Sequence, residues 1–595
     1  MRASGATGKL TPTCDNQASP AAHLERLTGG DGQRELQQRR AIILRSLSAC
    51  ITRAGPRRLL HCSRTRTGVP SQTSKWWGRR VTNGALNVAG GTQRLRLAEL
   101  MAALSLATDL GMGQPLEQAL RTCLIALELA ERIGLARDEM SEVFYVALLR
   151  YLGCTVDSHE LAEIFGGDDI ASRRASAPVV GGSALELGRE LLKVGAGQGP
   201  ARRIQLLAKL PGALPRAAEA GRAHCEMAEH LAHRLELPAG VERSLGNENV
   251  RWDGLAAPKG FSRNNIPVSG RIVLVARDAE VLHRIGGTER VRAALKARNG
   301  HAYDPAIAGA MLQHLAEVMA AIEVTSPWDA VLQREPEPHP WVPESRLESV
   351  LETFADFVDM KSPWTAGHSR GVAALAELAS QDGKGLRRAG LVHDLGRVTV
   401  PNGIWDKPGP LTDGERERVR LHAYYSERIL ERSAALKPLA VCAGMHHERL
   451  DGSGYHRGSH RAEISREARV LAAADAYQAM TEPRPFRPPL SRSRAAEELE
   501  DEARAGRLDS DAVSRVLTAA GHRPSRTAGW PAGLSDREVE VLRLLCRGGT
   551  KKQVASALEI SPSTVDHHVR HIYDKIGVAT RAGATLFAVE KDLLE

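Results

Sequence analysis

The chain has 595 residues, too many for a single hydrophobic core, and it lacks any apolar run near the roughly 18–20 residues that cross a bilayer. Eight cysteines are scattered with no Cys-x-x-Cys pair, which excludes a disulfide scaffold and a thiolate zinc site. No apolar core followed by a small-residue cleavage site opens the chain, so a cytoplasmic location without a membrane partner is expected.

The net charge of +9 is unevenly placed: residues 1–100 carry 17 Lys/Arg against 5 Asp/Glu, so the rest is slightly acidic. Residues 1–96 are rich in Arg, Gly, Ser and Thr and have no sustained apolar face. They are expected to be a basic, disordered tail.

From Leu97 the pattern becomes helical. Leu97-Ala-Glu-Leu-Met-Ala-Ala-Leu and Ala119-Leu-Arg-Thr-Cys-Leu-Ile-Ala-Leu place apolar residues at helical spacing. No alternating strand run of useful length follows, so the fold class is all-α. Breaks near Gly166–Arg203, Glu335–Pro343 and Gly521–Gly533 divide the chain. The expected domains are a tail at 1–96, helical blocks at 97–330 and 345–520, and a small helical domain at 530–595.

The two blocks look duplicated. Arg251-Trp-Asp-Gly matches Arg449-Leu-Asp-Gly, and Ala147-Leu-Leu-Arg-Tyr-Leu-Gly matches Gly390-Leu-Val-His-Asp-Leu-Gly. The first copy has Arg150-Tyr151 for His393-Asp394 and Glu248-Asn249 for His446-His447. It is therefore a degenerate copy, suited to dimerisation or ligand sensing.

The second block carries His368, His393, Asp394, His422, His446, His447 and Asp475. Imidazoles and carboxylates are ligands for divalent Fe, Mn or Zn, and seven suffice for two ions. Two ions about 3.5–4 Å apart clamp a phosphate for phosphodiester hydrolysis.

Thr365-Ala-Gly-His-Ser, Leu391-Val-His-Asp-Leu-Gly-Arg, His446-His-Glu-Arg-Leu-Asp-Gly-Ser-Gly-Tyr, Ala473-Ala-Asp-Ala-Tyr-Gln-Ala-Met-Thr and Arg484-Pro-Phe-Arg-Pro resemble the HD-GYP branch of the HD phosphohydrolases. The resemblance covers about residues 345–510. It implies an all-helical domain hydrolysing cyclic di-GMP, with those seven residues as metal ligands and Asp394 as both bridge and catalytic group. Trp364 replaces a glutamate found in three-metal members, so two divalent ions (Fe, Mn or similar) are expected. Arg397 replaces a family lysine that contacts substrate phosphate and is its catalytic counterpart here. The Gly-Tyr-Pro signature reads Gly454-Tyr455-His456.

In the last segment, Ser535-x-x-Glu538 and Thr550-x-x-Gln553 are capping boxes. The first opens a helix with Val539, Leu542 and Leu545 inward that stops at Gly548-Gly549. The second opens a short helix burying Val554, Ala555 and Leu558. Ser561-Pro562 starts a third helix with Val565, Val569, Ile572 and Ile576 inward and Thr564, Asp566, His567, Arg570 and His571 outward. Leu534-Ser-x-Arg-Glu-x-Glu-Val-Leu, Ile560-Ser-Pro-Ser-Thr-Val and Lys575-Ile-Gly-Val resemble the LuxR-type helix-turn-helix family. That resemblance implies groove contacts from Thr564, His567 and Arg570 and phosphate contacts from Lys551, Lys552 and Ser563. Residues 534–595 hold nine Lys/Arg and nine Asp/Glu, so binding to double-stranded DNA is expected to need a homodimer.

Two functions remain open from the sequence. One is a transcriptional regulator with an active phosphodiesterase. The other is a regulator whose HD block only senses a cyclic dinucleotide or other phosphate ligand.

Overall fold

The computed structural model describes residues 95–179, 199–248, 250–255, 261–521, 530–591 and 593–594. Every described residue belongs to one compact unit, Val81–Glu595. The predicted tail lies outside the described residues except at its end. There Leu95–Arg96 is a two-residue strand paired antiparallel with Trp341–Val342, the only sheet among the described residues. By composition these two residues end the tail expected at 1–96, and the structure instead joins them to the folded part. They are ordered because the Arg96 guanidinium donates to Glu335 and to the Leu332 carbonyl at 2.7 Å, while the Tyr145 hydroxyl donates to the same Glu335 at 2.8 Å.

Helices make up nearly all the rest. The predicted break at Gly166–Arg203 contains a helix, Asp169–Ser176, capped by the Asp168 carboxylate, and Pro200 opens a helix of 35 residues ending at Arg234. One continuous core joins both blocks. It includes Leu100, Phe144 and Leu231 from the first and Phe354, Leu391 and Leu471 from the second.

Two backbone contacts recur in the two blocks. A Cβ on Gly396 would sit 2.0 Å from the His422 carbonyl oxygen, and a Cβ on Gly153 would sit 2.0 Å from the His224 carbonyl oxygen. Both blocks thus close one chain crossing that admits only hydrogen at that position. A second match is the buried carboxylate beneath the following helix. Asp359 accepts the Ser369 N–H at 2.7 Å, and Asp109 accepts the Ala119 N–H at 3.0 Å.

The carboxy-terminal helices Asp536–Cys546, Lys551–Ala557 and Pro562–Ile576 surround their own core of Val541, Leu542, Val565 and Ile572. Both capping boxes form, and Ser561 caps the third helix through the Thr564 N–H. Leu558 and Ile576, expected inside, are half-buried. The last helix, Arg581–Glu590, places Ala582 and Leu586 in the large core. Glu590 pairs with Arg234 at 3.2 Å and with His230 at 3.5 Å.

Candidate metal centre and nucleic-acid interface

Seven residues predicted as ligands come from five places in the second block. His368 opens the helix His368–Leu378, just after Gly367 turns the chain at φ 80°. His393 and Asp394 follow the helix Gly383–Val392, and His422 lies within Asp413–Leu430. His446 and His447 follow Lys437–Gly444, and Asp475 lies within Arg466–Thr481. Helix ends supply most of them, so the ligands converge from rigid elements.

All seven meet. Their ligand atoms fall into three overlapping groups: His422, His446, His447; His368, His393, Asp475; and His393, Asp394, His446. The Asp394 carboxylate joins the first two. Its Oδ1 lies 3.3 Å from His422 Nε2 and 3.6 Å from His446 Nε2. Its Oδ2 lies 3.6 Å from His393 Nε2 and 3.9 Å from His368 Nε2.

The imidazoles are aimed by their far nitrogens. Nδ1 of His393, His422 and His446 each donates to the carbonyl three residues earlier, on Gly390, Val419 and Ala443. That contact turns Nε2 of each ring, with its lone pair, into the site. His393 Nε2 is buried without a hydrogen-bond partner, and the Nε2 atoms of His422 and His446 face each other at 3.2 Å. Two acceptors so placed repel unless a cation lies against them, so the donor set fits divalent metal ions.

The electrostatics agree. Burial pushes the His393 imidazole down to about 4 and, helped by His446, takes His447 well below the usual range. Both are neutral near pH 7, as ligands must be. Burial would raise Asp394, but His393 and the Arg397 guanidinium outweigh it and keep the carboxylate ionised. Against its burial, His368 is raised to about 10 by Glu482 and Asp475, so a cation arriving there displaces a proton.

Groups behind the ligands hold them in place. Glu482 accepts from His368 Nδ1 at 2.8 Å and is itself held by Gln478 at 2.8 Å and Arg484 at 2.9 Å. Only the position of Glu482 before the Arg484-Pro-Phe motif hints at it. Arg397 Nη1 donates to Asp394 Oδ2 at 2.8 Å, and its guanidinium lies 4.1 Å from the Trp405 ring centre. Tyr455 packs on His447 with ring centroids 4.3 Å apart. His456 has φ 35°, a backbone state closed to proline, whose ring holds φ near −65°. The Gly-Tyr-His loop therefore takes a path that a Gly-Tyr-Pro loop cannot take.

In the first block the corresponding place is filled with ion pairs. His224 stands where the second block has His422, and its Nε2 forms an ion pair with Glu248 at 2.9 Å, where the second block has His446. Asp278, matching Asp475, takes Arg277 and Arg298 at 3.0 Å each and the Tyr303 hydroxyl at 2.6 Å. His224, at that block's chain crossing, lies between Glu248 and Asp157. Asn249 lies outside the described residues.

On the carboxy-terminal domain, Ser563, Thr564, His567 and Arg570 are exposed on the third helix, and Lys551 and Lys552 are exposed on the second. Asp566 on the third helix pairs with both Lys551 and Arg570. A short helix crossing a longer one with an exposed polar face is the arrangement that enters a major groove.

Fold and site together define a helical His/Asp metal-centre protein joined to a helix-turn-helix domain. The HD domain family matches residues 352–512, and the family of bacterial regulatory proteins, luxR family, matches residues 532–588. A 3′3′-cGAMP-specific phosphodiesterase of Vibrio cholerae serotype O1 is 31% identical over 403 residues, 66% of this chain and 87% of the enzyme. A cyclic di-GMP phosphodiesterase of Pseudomonas aeruginosa is 43% identical over 100 residues, 17% of this chain and 24% of that protein. The crystal structure of a cyclic GMP-AMP specific phosphodiesterase of V. cholerae matches with TM-score 0.51 and 27% identity, over 73% of this chain and 99% of that one. The chain belongs to the HD-GYP branch of the HD phosphohydrolases and carries a LuxR-type DNA-binding domain. No helix among the described residues is long and apolar enough to cross a membrane.

Proposed function

We propose that the HD block is a metal-dependent phosphodiesterase that opens a cyclic dinucleotide, and that the LuxR-type domain couples this activity to double-stranded DNA. The observation that carries the proposal is the Asp394 carboxylate, whose two oxygens face two separate sets of imidazoles. One divalent ion, Fe or Mn, would be held by His422, His446, His447 and Asp394, and a second by His368, His393, Asp475 and Asp394. Such ions supply Lewis-acid stabilisation of charge on phosphate oxygens and lower the pKa of water.

The chain's own groups do the remaining work. Arg397 brings a fixed positive charge to the edge of the site for a phosphate oxygen. Glu482 holds the His368 ring, and Tyr455 covers His447 and limits water on that side. The names of the V. cholerae and P. aeruginosa relatives support 3′,3′-cGAMP or cyclic di-GMP as substrate. On the DNA side, Thr564, His567 and Arg570 are the groove-reading residues, and Lys551, Lys552 and Ser563 contact phosphates, in a homodimer. A second reading, a ligand sensor without turnover, draws on the His456 backbone, which departs from the proline-bearing loop.

The test uses the full chain loaded with Mn or Fe. Metal content is measured, and both cyclic dinucleotides are followed to their linear products, with Asp394→Ala as control. Two ions per chain and turnover lost in the control support the enzyme. Ions and ligand binding without turnover support the sensor, and no metal uptake refutes both.

A further inference from the structure

The amino-terminal block grips one short stretch of the metal-centre block. The Asn402 N–H donates to Asp169 Oδ1 at 2.8 Å, and the Gly403 N–H donates to the Gly167 carbonyl at 2.8 Å. His159 Nδ1 bonds Asp406 Oδ2 at 2.8 Å, and Ser362 donates to the other oxygen at 2.5 Å. Asp169 is fully buried and forms a second bond, 2.8 Å long, with the buried Lys361 ammonium. A Cβ on Gly403 would lie 2.3 Å from the Gly167 carbonyl oxygen, so the two backbones touch without room for a side chain.

These contacts converge on the short helix Asn402–Trp405. Its last residue projects the other way. The Trp405 ring faces the Arg397 guanidinium at 4.1 Å, and its Nε1 donates to the Arg397 carbonyl at 3.2 Å. The same ring meets His422 edge-on at 5.7 Å. Arg397 is thus held between a carboxylate and an indole face. An ammonium is a compact point charge on a flexible stem, whereas a planar guanidinium stacks on a ring and takes a fixed orientation from it. Arginine at 397 and tryptophan at 405 therefore work as a pair.

We propose that the amino-terminal block is a clamp that sets the orientation of Arg397 toward substrate phosphate, with Trp405 as the positioning residue that carries the clamp to it. The proposal rests on the phosphodiesterase reading for its ligand and on the geometry above for its mechanics. It gives the first block a role: Arg173 on the helix Asp169–Ser176 pairs with Asp157 and ties the Gly167–Asp169 edge to that block's interior, and that edge fixes the helix bearing Trp405.

Two measurements on the full chain test it. The first is hydrogen exchange without ligand. Asp169→Asn alone would strand the buried Lys361 charge, so it is combined with Lys361→Met, and His159→Gln serves as a gentler variant. Both are expected to speed amide exchange at 402–406 at least tenfold while leaving the helix Pro562–Ile576 unchanged. Unchanged exchange at 402–406 overturns the clamp.

The second is a double-mutant cycle of Trp405→Leu and Arg397→Lys, read on KM, kcat and Kd for 3′,3′-cGAMP with the metal-loaded chain. Trp405→Leu is expected to raise KM or Kd about tenfold, in line with a desolvated cation–π contact. In the Arg397→Lys background it should change either by less than about twofold, and Trp405→Phe should restore most of the loss. Equal effects in both backgrounds overturn the positioning role. A wild-type chain that neither binds nor hydrolyses the dinucleotide refutes the phosphodiesterase reading, and the exchange measurement then decides the clamp alone.

Discussion

Substituting alanine for the glycine at each of the two chain crossings separates what the fold needs from what the metal centre needs. At Gly396 an added Cβ meets the His422 carbonyl oxygen at 2.0 Å and the Ser426 nitrogen at 2.6 Å. Both are backbone atoms of one helix, so no side chain rotates away, and ordinary contact requires the crossing to open by about 1.4 Å. Overpacking of this kind costs about 1–3 kcal/mol, or roughly 2–4 °C in Tm per kcal/mol for a domain of this size. His422 moves with its helix, and metal sites tolerate only about 0.2 Å in ligand distance. Gly396→Ala should therefore lower Tm and also lose the ion associated with His422, His446 and His447. Gly153→Ala creates the same 2.0 Å clash with the His224 carbonyl, in a block whose crossing holds ion pairs. It should lower Tm by a similar amount and leave metal content unchanged. Calorimetry and metal titration on the two variants give the comparison. A Gly396→Ala chain with full metal content and unchanged Tm would refute the reasoning.

The DNA-binding domain provides three more expectations. Against its burial, Glu538 is held down to about 2 by Lys575 at 2.6 Å and by the Ser535 N–H. Because its folded value is depressed, its contribution is complete above about pH 4.5 and is lost as the pH falls toward 2. The domain's acid transition should be shallower in Glu538→Gln than in the wild type, as read by thermal melts from pH 2 to 6. Asp566 neutralises Lys551 and Arg570, so Asp566→Asn should tighten DNA binding and steepen its salt dependence by about one charge. Unchanged affinity in a salt titration would remove Lys551 and Arg570 from the interface. Lys552→Ala should weaken binding to all sequences alike, whereas His567→Ala should relax preference at one base position, tested with a randomised-site selection.

Much of this architecture is legible in the sequence because the signals are local. Ser535-x-x-Glu538, Thr550-x-x-Gln553 and Ser561-Pro562 each fix a helix start within four residues, and all three caps form. The His-Asp and His-His doublets point to the His/Asp cluster for a similar reason: each doublet places two candidate ligands at adjacent positions of the chain. What the sequence hides depends on distance along the chain. The match of His224 to His422 rests on a backbone approach to Gly153, 71 positions earlier, which no spacing rule encodes. Glu482 reaches His368 across 114 positions. Arg96 is a surface cation by composition, yet Glu335, 239 positions away, orders it.

Ala582 and Leu586 of the last helix belong to the core shared by the two blocks. The DNA reader is consequently an outgrowth of the main body and is not a bead on a string. A duplex seated on the third helix would meet a domain whose last helix is already packed into the main body. Two chains reading adjacent half-sites would bring their HD blocks into proximity as well.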